Sequence, residues 1–478
     1  MLDPADWKAF REQTHRILDE SLDYLQGVRE RKTWTAVPPE VRERLASPLP
    51  VEASDFGEVY QEFARDVLPY NSGNIHPRFF GWVQGSGTAA GAIADLLAAT
   101  MNSNCGGRDH GAIYVERQVV EWFKELFHFP ESASGLLVTG TSMANLIAVL
   151  VARTNALGDS VRELGLQAQT ERLVGYASAS THGCVRKAFE NAGLGGASLR
   201  ILPIDAAHRV NPAEIASAIR RDRDDGLRPF MIVGNAGSVD IGAIDPLVEL
   251  ADLAKRENLW LHVDGAFGAL TMLSEKLRPA LRGIERADSL AFDFHKWLHV
   301  PYDAGCVLVR DGEVHRATFS TEGPYITRMD RGLAAGEPWF TDFGPDLSRS
   351  FRALKVWFTI KQHGVKRLAE SIERNCAQAL YLRSLVEADS RFELMAPVTL
   401  NIVCFRYLAE NLNAAELDRF NDDLVIALQE SGVAVTSSTT IGERRAIRVC
   451  IVNHRTEDRD LKLLLQTLGE LAARRGVR

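Results

Sequence analysis

One lysine is wedged between two apolar runs in the stretch Ser289 to Arg310, which reads SLAFDFHKWLHVPYDAGCVLVR. Ser289-Leu290-Ala291-Phe292 suits a buried strand, Asp293-Phe294-His295-Lys296-Trp297 follows it, and a second apolar run covers Ala304 to Val309. An ammonium without a partner in such surroundings is expected to lose its proton or to react. A neutral lysine amine there is the nucleophile that captures an aldehyde as a Schiff base. Taken alone, the lysine reads first as a snorkelling surface group, so its neighbours decide. Thr139-Gly140-Thr141-Ser142 offers free amides, hydroxyls and a favourable dipole end where a helix should begin, which suits a phosphate. Ordinary N-capping is the commoner use of such a pair. Asp264, in His262-Val263-Asp264-Gly265-Ala266, is a carboxylate at the end of an apolar run. It is either half of a structural ion pair or a partner for a buried N–H. His182 and Ser238 follow two further apolar runs.

The elements that must position these groups alternate along the chain. Leu136-Leu137-Val138, Arg172 to Tyr176, Phe230 to Val233 and Leu259 to Val263 read as buried strands. Amphipathic stretches such as Met143 to Arg153, and the run after Asp245-Pro246, read as helices between them. That alternation predicts a mostly parallel sheet covered on both faces. Ligands of such sheets collect beyond the carboxyl ends of the strands. Thr141, Ser142, His182, Ser238, Asp264 and Lys296 all fall just past a strand end, which scattered surface residues would not do.

Upstream, Asp3 and Pro4 look like a helix start, and Trp7, Phe10, Thr14, Ile17, Leu18, Leu22 and Leu25 share one face as far as Gly27. That stripe has only a Pro-rich loop after it, so it is expected to pack on another domain or on a second subunit, the second being favoured. The glycines of Gly85 to Gly91 depart from the dinucleotide fingerprint and read as a turn before a helix from Ala92 to Met101. Downstream, Leu347 to Ala388 reads as helix, Leu400 to Phe405, Val433 to Thr436 and Ala446 to Val452 as strands, and Leu417 to Leu428 as a helix ending near Gly432. The expected organisation is an N-terminal helical segment (1–84), a large domain (85–360) and a small C-terminal α/β domain (361–478). A net charge of -8 gives no reason to expect nucleic acid, and no apolar run approaches the length of a membrane span. An acidic start and six scattered cysteines, without metal-like spacing, suggest reduced thiols in the cytoplasm.

Taken together, an amine, an anion nest and a carboxylate fit pyridoxal 5'-phosphate, which needs a partner for its aldehyde, its phosphate and its pyridine nitrogen. The chain resembles the group II pyridoxal-phosphate-dependent amino acid decarboxylases, from His76-Pro77-Arg78-Phe79-Phe80 to about Lys366. The most specific pieces are His262 to Ala266 and Asp293 to Trp297. The resemblance implies an aspartate-aminotransferase-like fold (type I of the pyridoxal enzymes) and a homodimer with a shared active site, its N-terminal segment wrapping the partner. It implies that Lys296 holds the cofactor, Asp264 pairs with the pyridine nitrogen and His182 stacks on the ring. Thr141, Ser142 and His295 would bind phosphate, Ala266 would pack on the other ring face, and Ser238 and Asp293 would lie in the cofactor site.

It implies a reaction type as well. Thr318 to Gly336 has the composition of an active-site lid, and Tyr325 falls where the family's tyrosine protonates the α-carbon after carbon dioxide leaves. Phe80, Trp82 and Val83 resemble a wall for a flat side chain, whereas Asn102 and Asn104 resemble relatives acting on acidic amino acids. An aromatic or related L-amino acid is favoured slightly. The alternatives are an acidic amino acid decarboxylase, an aldehyde synthase of the same fold, a catalytically silent pyridoxal-binding protein and a nucleotide-binding oxidoreductase. Met143 and Val239 depart from the family's pattern and leave the hydrogen bonds around them open.

Overall fold

The computed structural model describes residues 2–321, 323 and 327–475. Two compact units emerge: one comprises Val83–Leu380 with Ala396–Ile402, the other the chain up to Trp82 with Tyr381–Met395 and the segment from Val403 onward.

The first unit is built on seven strands: β1 (Ser134–Val138), β2 (Leu173–Ser178), β3 (Leu199–Leu202), β4 (Arg228–Asn235), β5 (Trp260–Asp264), β6 (Ser289–Asp293) and β7 (Gly305–Val309). Their order is β1-β7-β6-β5-β4-β2-β3. The β2/β3, β2/β4, β4/β5 and β5/β6 pairs are parallel, while β7 runs antiparallel to both its neighbours. The mostly parallel sheet is therefore as expected, and β2, β5, β6 and β7 are buried along their whole length. Helices Thr141–Leu157 and Leu247–Glu257 supply the covering layers, with Ile147, Ala148, Val151, Leu250 and Ala254 buried. The strand β3 was not anticipated, because LRIL is too short to announce itself.

One ion pair holds the β1 edge. Arg349 donates to Glu116 at 2.5 Å with both side chains fully buried, and it also donates to the carbonyls of Leu137 and Cys105. Glu116 in turn accepts the Leu137 amide. Breaking a buried pair from one side leaves an uncompensated charge, so Glu116→Gln is expected to lower unfolding stability by about 3–5 kcal/mol in urea titrations.

The second unit carries β8 (Phe392–Leu394), β9 (Ile402–Tyr407), β10 (Ser437–Ile441) and β11 (Arg444–Cys450) in the order β10-β11-β9-β8. Helices Ala414–Ser431 and Asp458–Arg474 belong to it, the former closed by an Asn413/Glu416 capping box and by Gly432. The expected strand at Val433 to Thr436 is not one. The chain there makes a bridge between Val435 and Phe79, and the strand begins at Ser437. The N-terminal helix runs Trp7–Gln26, capped by Asp6 rather than Asp3, and ends at Gly27 as expected. None of its residues is buried. Among the described residues no helix is long and apolar enough to cross a membrane.

Candidate active site

Asp264 ends β5 and sits beside Ala291 of the parallel β6. Two residues past Ala291, β6 ends at Asp293 and the helical turn Phe294–Trp297 carries Lys296. Both groups therefore leave the sheet at the same end. Gly305 opens β7 so close to Gly140 that a Cβ on it would meet the Gly140 Cα and Asp293 Oδ1 at 2.6 Å, which brings the start of helix Thr141–Leu157 to this end as well. Gly85 explains the glycine run read from the sequence. A Cβ there would lie 2.0 Å from the His295 carbonyl oxygen, so the residue is the floor on which the lysine turn rests.

Lys296 Nζ lies 2.8 Å from Asp293 Oδ2. This corrects the expectation of a neutral lysine. Burial pushes the ammonium down, but the Asp293 carboxylate, reinforced by Asp264, carries it above the ordinary lysine value. Burial likewise pushes Asp293 up, and the Lys296 charge above all brings it below the usual carboxylate range. To attack an aldehyde, Nζ must first release a proton, and Asp293 Oδ2 is the acceptor within reach. Asp293 also accepts the Thr141 amide at 2.7 Å. In the described residues it anchors the lysine and the start of the helix beside it.

The anion nest survives in reduced form. The Thr141 amide is taken, but its buried Oγ1 finds no hydrogen-bond partner. The Ser142 amide, in the first helical turn, has no intrahelical acceptor. His295 adds a donor. The Ala304 amide donates to His295 Nδ1 at 3.1 Å, so the neutral ring, whose pKa burial lowers, carries its proton on Nε2. Tyr302, which the sequence reading did not single out, stacks on that imidazole with centroids 4.3 Å apart. An orphaned buried hydroxyl, an unengaged amide and an imidazole N–H fit a phosphate. With a lysine for the aldehyde and Asp264 for a ring N–H, the donor set fits pyridoxal phosphate.

Asp264 is almost fully buried, and burial raises its pKa despite the Asn145 hydrogen bond and the Lys296 charge. Its Oδ1 accepts the Ala266 amide at 3.1 Å and its Oδ2 accepts Asn145 Nδ2 at 3.0 Å. Asn145 was missed by the sequence reading. The signal was available: it lies one helical turn after Thr141, on the same face. His182 N-caps helix Gly183–Asn191, its Nδ1 accepting the Cys184 amide, and its ring is exposed. Ser238 is buried and accepts the Ala243 amide through Oγ, closing its own loop. Ala266 is half-buried, its carbonyl accepting the Asp293 amide.

The expected substrate wall fares differently. Phe80 is completely buried, its amide donating to the Val435 carbonyl, so it is core of the second unit rather than an open wall. Trp82, in the same unit, is 55% exposed with a left-handed backbone, and Val83 is half-buried. Asn102 is the left-handed cap of helix Ala89–Met101. Asn104 Oδ1 accepts the amides of Gly106 and Arg349, so its side chain folds the loop. Tyr325 lies outside the described residues. Among the described residues no cluster of histidine, cysteine or acidic side chains could hold a metal.

His262, behind Asp264, is fully buried, and burial holds its pKa at about 3; His315, buried on helix Gly312–Phe319, is held at the same value. Both stay neutral in the fold, whereas in the unfolded chain they take up protons below about 6.5. The unfolded state binds more protons in that window, so stability falls as pH drops from 6.5 toward 3. Each ring contributes a loss of roughly 1.4 kcal/mol per pH unit. Chemical denaturation at stepped pH should show this slope, and conversion of either histidine to a neutral isostere should flatten it.

A lysine and a carboxylate beyond the carboxyl ends of a mostly parallel sheet, with an anion nest at a helix start, define a pyridoxal-phosphate enzyme of the aspartate-aminotransferase type. The chain belongs to the pyridoxal-dependent decarboxylase family, whose conserved domain matches residues 38–408. It is 33% identical over 466 residues to an aromatic-L-amino-acid decarboxylase of Bacillus atrophaeus, covering 97% of this chain and 95% of that one. Among solved structures it superposes on Oryza sativa TDC with PLP and tryptamine at a TM-score of 0.90, with 27% identity over 98% of this chain and 100% of that one. A 4-hydroxyphenylacetaldehyde synthase of Rhodiola rosea gives a TM-score of 0.88 with 25% identity, covering 98% of this chain and 99% of that one. This chain is a carboxy-lyase that acts on an amino acid and uses pyridoxal phosphate.

Proposed function

We propose that the chain decarboxylates an aromatic L-amino acid to its amine, with Lys296, Asp264 and the Thr141–Ser142 helix start as the three anchors of one cofactor. The observation that carries the reading is the buried, unpartnered Thr141 Oγ1 at the end of the sheet that also presents Lys296 and Asp264. Bound there, pyridoxal phosphate supplies an electron sink for the bond broken at the α-carbon. Lys296 Nζ, 2.8 Å from Asp293 Oδ2, would hold the aldehyde carbon of the group. Asp264 keeps a proton on the ring nitrogen. Thr141 Oγ1, the Ser142 amide and His295 Nε2 bind the phosphate, and His182 and Ala266 cover the ring faces. Ser238 closes the loop beside them.

The aromatic preference rests on the relatives' names and on their coverage of nearly the whole chain. A panel of L-amino acids assayed for carbon dioxide release tests it. Tryptophan, tyrosine or a related substrate should exceed glutamate and aspartate by at least tenfold in kcat/KM, and the reverse order would overturn the preference.

The likeness to an aldehyde synthase keeps a second reaction in view. We assign Tyr325 Oη the delivery of a proton to the α-carbon. With dissolved dioxygen as the oxidant, Tyr325→Phe should therefore shift the product from amine toward aldehyde, ammonia and peroxide, scored by product chromatography. An unchanged amine yield would remove the tyrosine from the mechanism.

The working assembly is a homodimer. Helix Trp7–Gln26 leaves Trp7 59% and Leu22 41% exposed, and helix Phe56–Asp66 leaves Phe56, Val59 and Phe63 exposed, an apolar surface that a second copy would cover. All six cysteines are free thiols, which supports a reducing, cytoplasmic setting.

A further inference from the structure

Five buried side chains form a single hydrogen-bonded line that ends at Asp264. Trp260 Nε1 lies 2.8 Å from Ser289 Oγ, and Ser289 Oγ lies 2.8 Å from His262 Nδ1. His262 Nε2 lies 2.8 Å from Asn145 Oδ1, and Asn145 Nδ2 lies 3.0 Å from Asp264 Oδ2. The two ends fix the direction of every bond. An indole N–H can only donate and an ionised carboxylate can only accept. Asn145 must therefore turn its nitrogen to Asp264 and its oxygen to His262. His262 Nε2 must then carry the imidazole proton, Nδ1 must accept, and the Ser289 hydroxyl must donate to it while accepting from Trp260. His262, Asn145 and Ser289 have no exposed surface, so water cannot substitute for any link. The sheet enforces the spacing, since His262 and Ser289 are cross-strand partners and His262 and Asp264 share a face of β5.

We infer that Asn145, His262 and Ser289 are positioning residues which hold Asp264 as an oriented acceptor for the N–H of the cofactor's pyridine ring. The inference rests on the pairing of Asp264 with that nitrogen. With Oδ1 on the Ala266 amide and Oδ2 on Asn145, both oxygens are fixed in direction. Asn145 Nδ2 also lies 3.2 Å from Cys184 Sγ, which occupies its second hydrogen and prevents the amide from rotating freely.

The test compares binding of pyridoxal phosphate with binding of its 1-deaza analogue, in which C–H replaces the ring nitrogen, to the full-length apoenzyme by fluorescence quenching. The wild-type chain should prefer pyridoxal phosphate by about tenfold or more, a charge-assisted hydrogen bond's worth of affinity. Asn145→Asp, which keeps the shape but sets an acceptor against Asp264, should lose that preference to the level of Asp264→Ala. Ser289→Ala, at the far end of the line, should lose about threefold of it. Affinity for the analogue should stay within about twofold in all three, which a merely structural defect would not allow. Retention of the full preference in Asn145→Asp and Ser289→Ala overturns the inference, and Ser289→Ala decides it alone if Asn145→Asp does not fold. Should Asp264→Ala itself keep the preference, the pairing of Asp264 with the ring nitrogen is what fails.

Discussion

Lys296→Ala should abolish carbon dioxide release, lowering kcat by at least roughly three orders of magnitude. It should also remove covalent attachment of the cofactor. Treated with borohydride, wild-type protein should carry the reduced pyridoxyl group on the peptide containing Lys296, and the variant should carry none. The expectation follows from position as much as residue type. Lys296 stands on a single helical turn between β6 and β7, its carbonyl packed over Gly85, and its amine has Asp293 Oδ2 as a local proton acceptor. No other lysine shares that turn. Lys296→Arg separates charge from nucleophilicity: it keeps the ion pair with Asp293, yet a guanidinium cannot shed its proton to capture an aldehyde, so it should be as inactive as alanine.

Asp264→Asn should have the next largest effect, a fall in kcat of roughly 10²–10⁴ with the cofactor still attached to Lys296. The carboxylate and the amide have nearly the same shape, so the loss measures charge. The buried carboxylate is the negative partner that keeps a proton on the ring nitrogen and so lets the ring draw electrons from the α-carbon. The substitution also reverses one hydrogen bond. The incoming amide cannot accept from both Asn145 Nδ2 and the Ala266 amide while donating to neither, so the local line of donors is disturbed as well. Stopped-flow absorbance should show normal cofactor capture followed by a stalled substrate step. A variant that turns over at the wild-type rate would remove Asp264 from the chemistry.

The parts of this site that could be read from the letters are those dictated by the sheet. Apolar runs ending in a polar residue mark strand ends, and Thr141, Asp264 and Lys296 were found that way. The direction of β7 was not legible, although the link from Asp293 to Gly305 is short for a crossover connection. The charge of Lys296 was misjudged because its partner, Asp293, lies only three residues before it and was read as part of the cofactor's own shell. An i, i+3 acid and base on one turn is a pairing the spacing itself offers. Asn145 was hidden by its place inside an apolar helix, where a polar residue looks like an exception rather than a contact. Phe80, Asn102 and Asn104 were assigned to a pocket by likeness, and their burial or loop bonding depends on tertiary contacts that no local pattern encodes.

The convergence of Lys296, Asp264 and the Thr141 helix start on one ring is the claim from which the mechanism follows. A crystal structure of the protein with pyridoxal phosphate tests it most directly. It should show unbroken density from Lys296 Nζ to the cofactor, an Asp264 oxygen about 3 Å from the ring nitrogen, and Thr141 Oγ1 within hydrogen-bond reach of the phosphate. A cofactor bound through another residue, or a ring nitrogen facing away from Asp264, would contradict it.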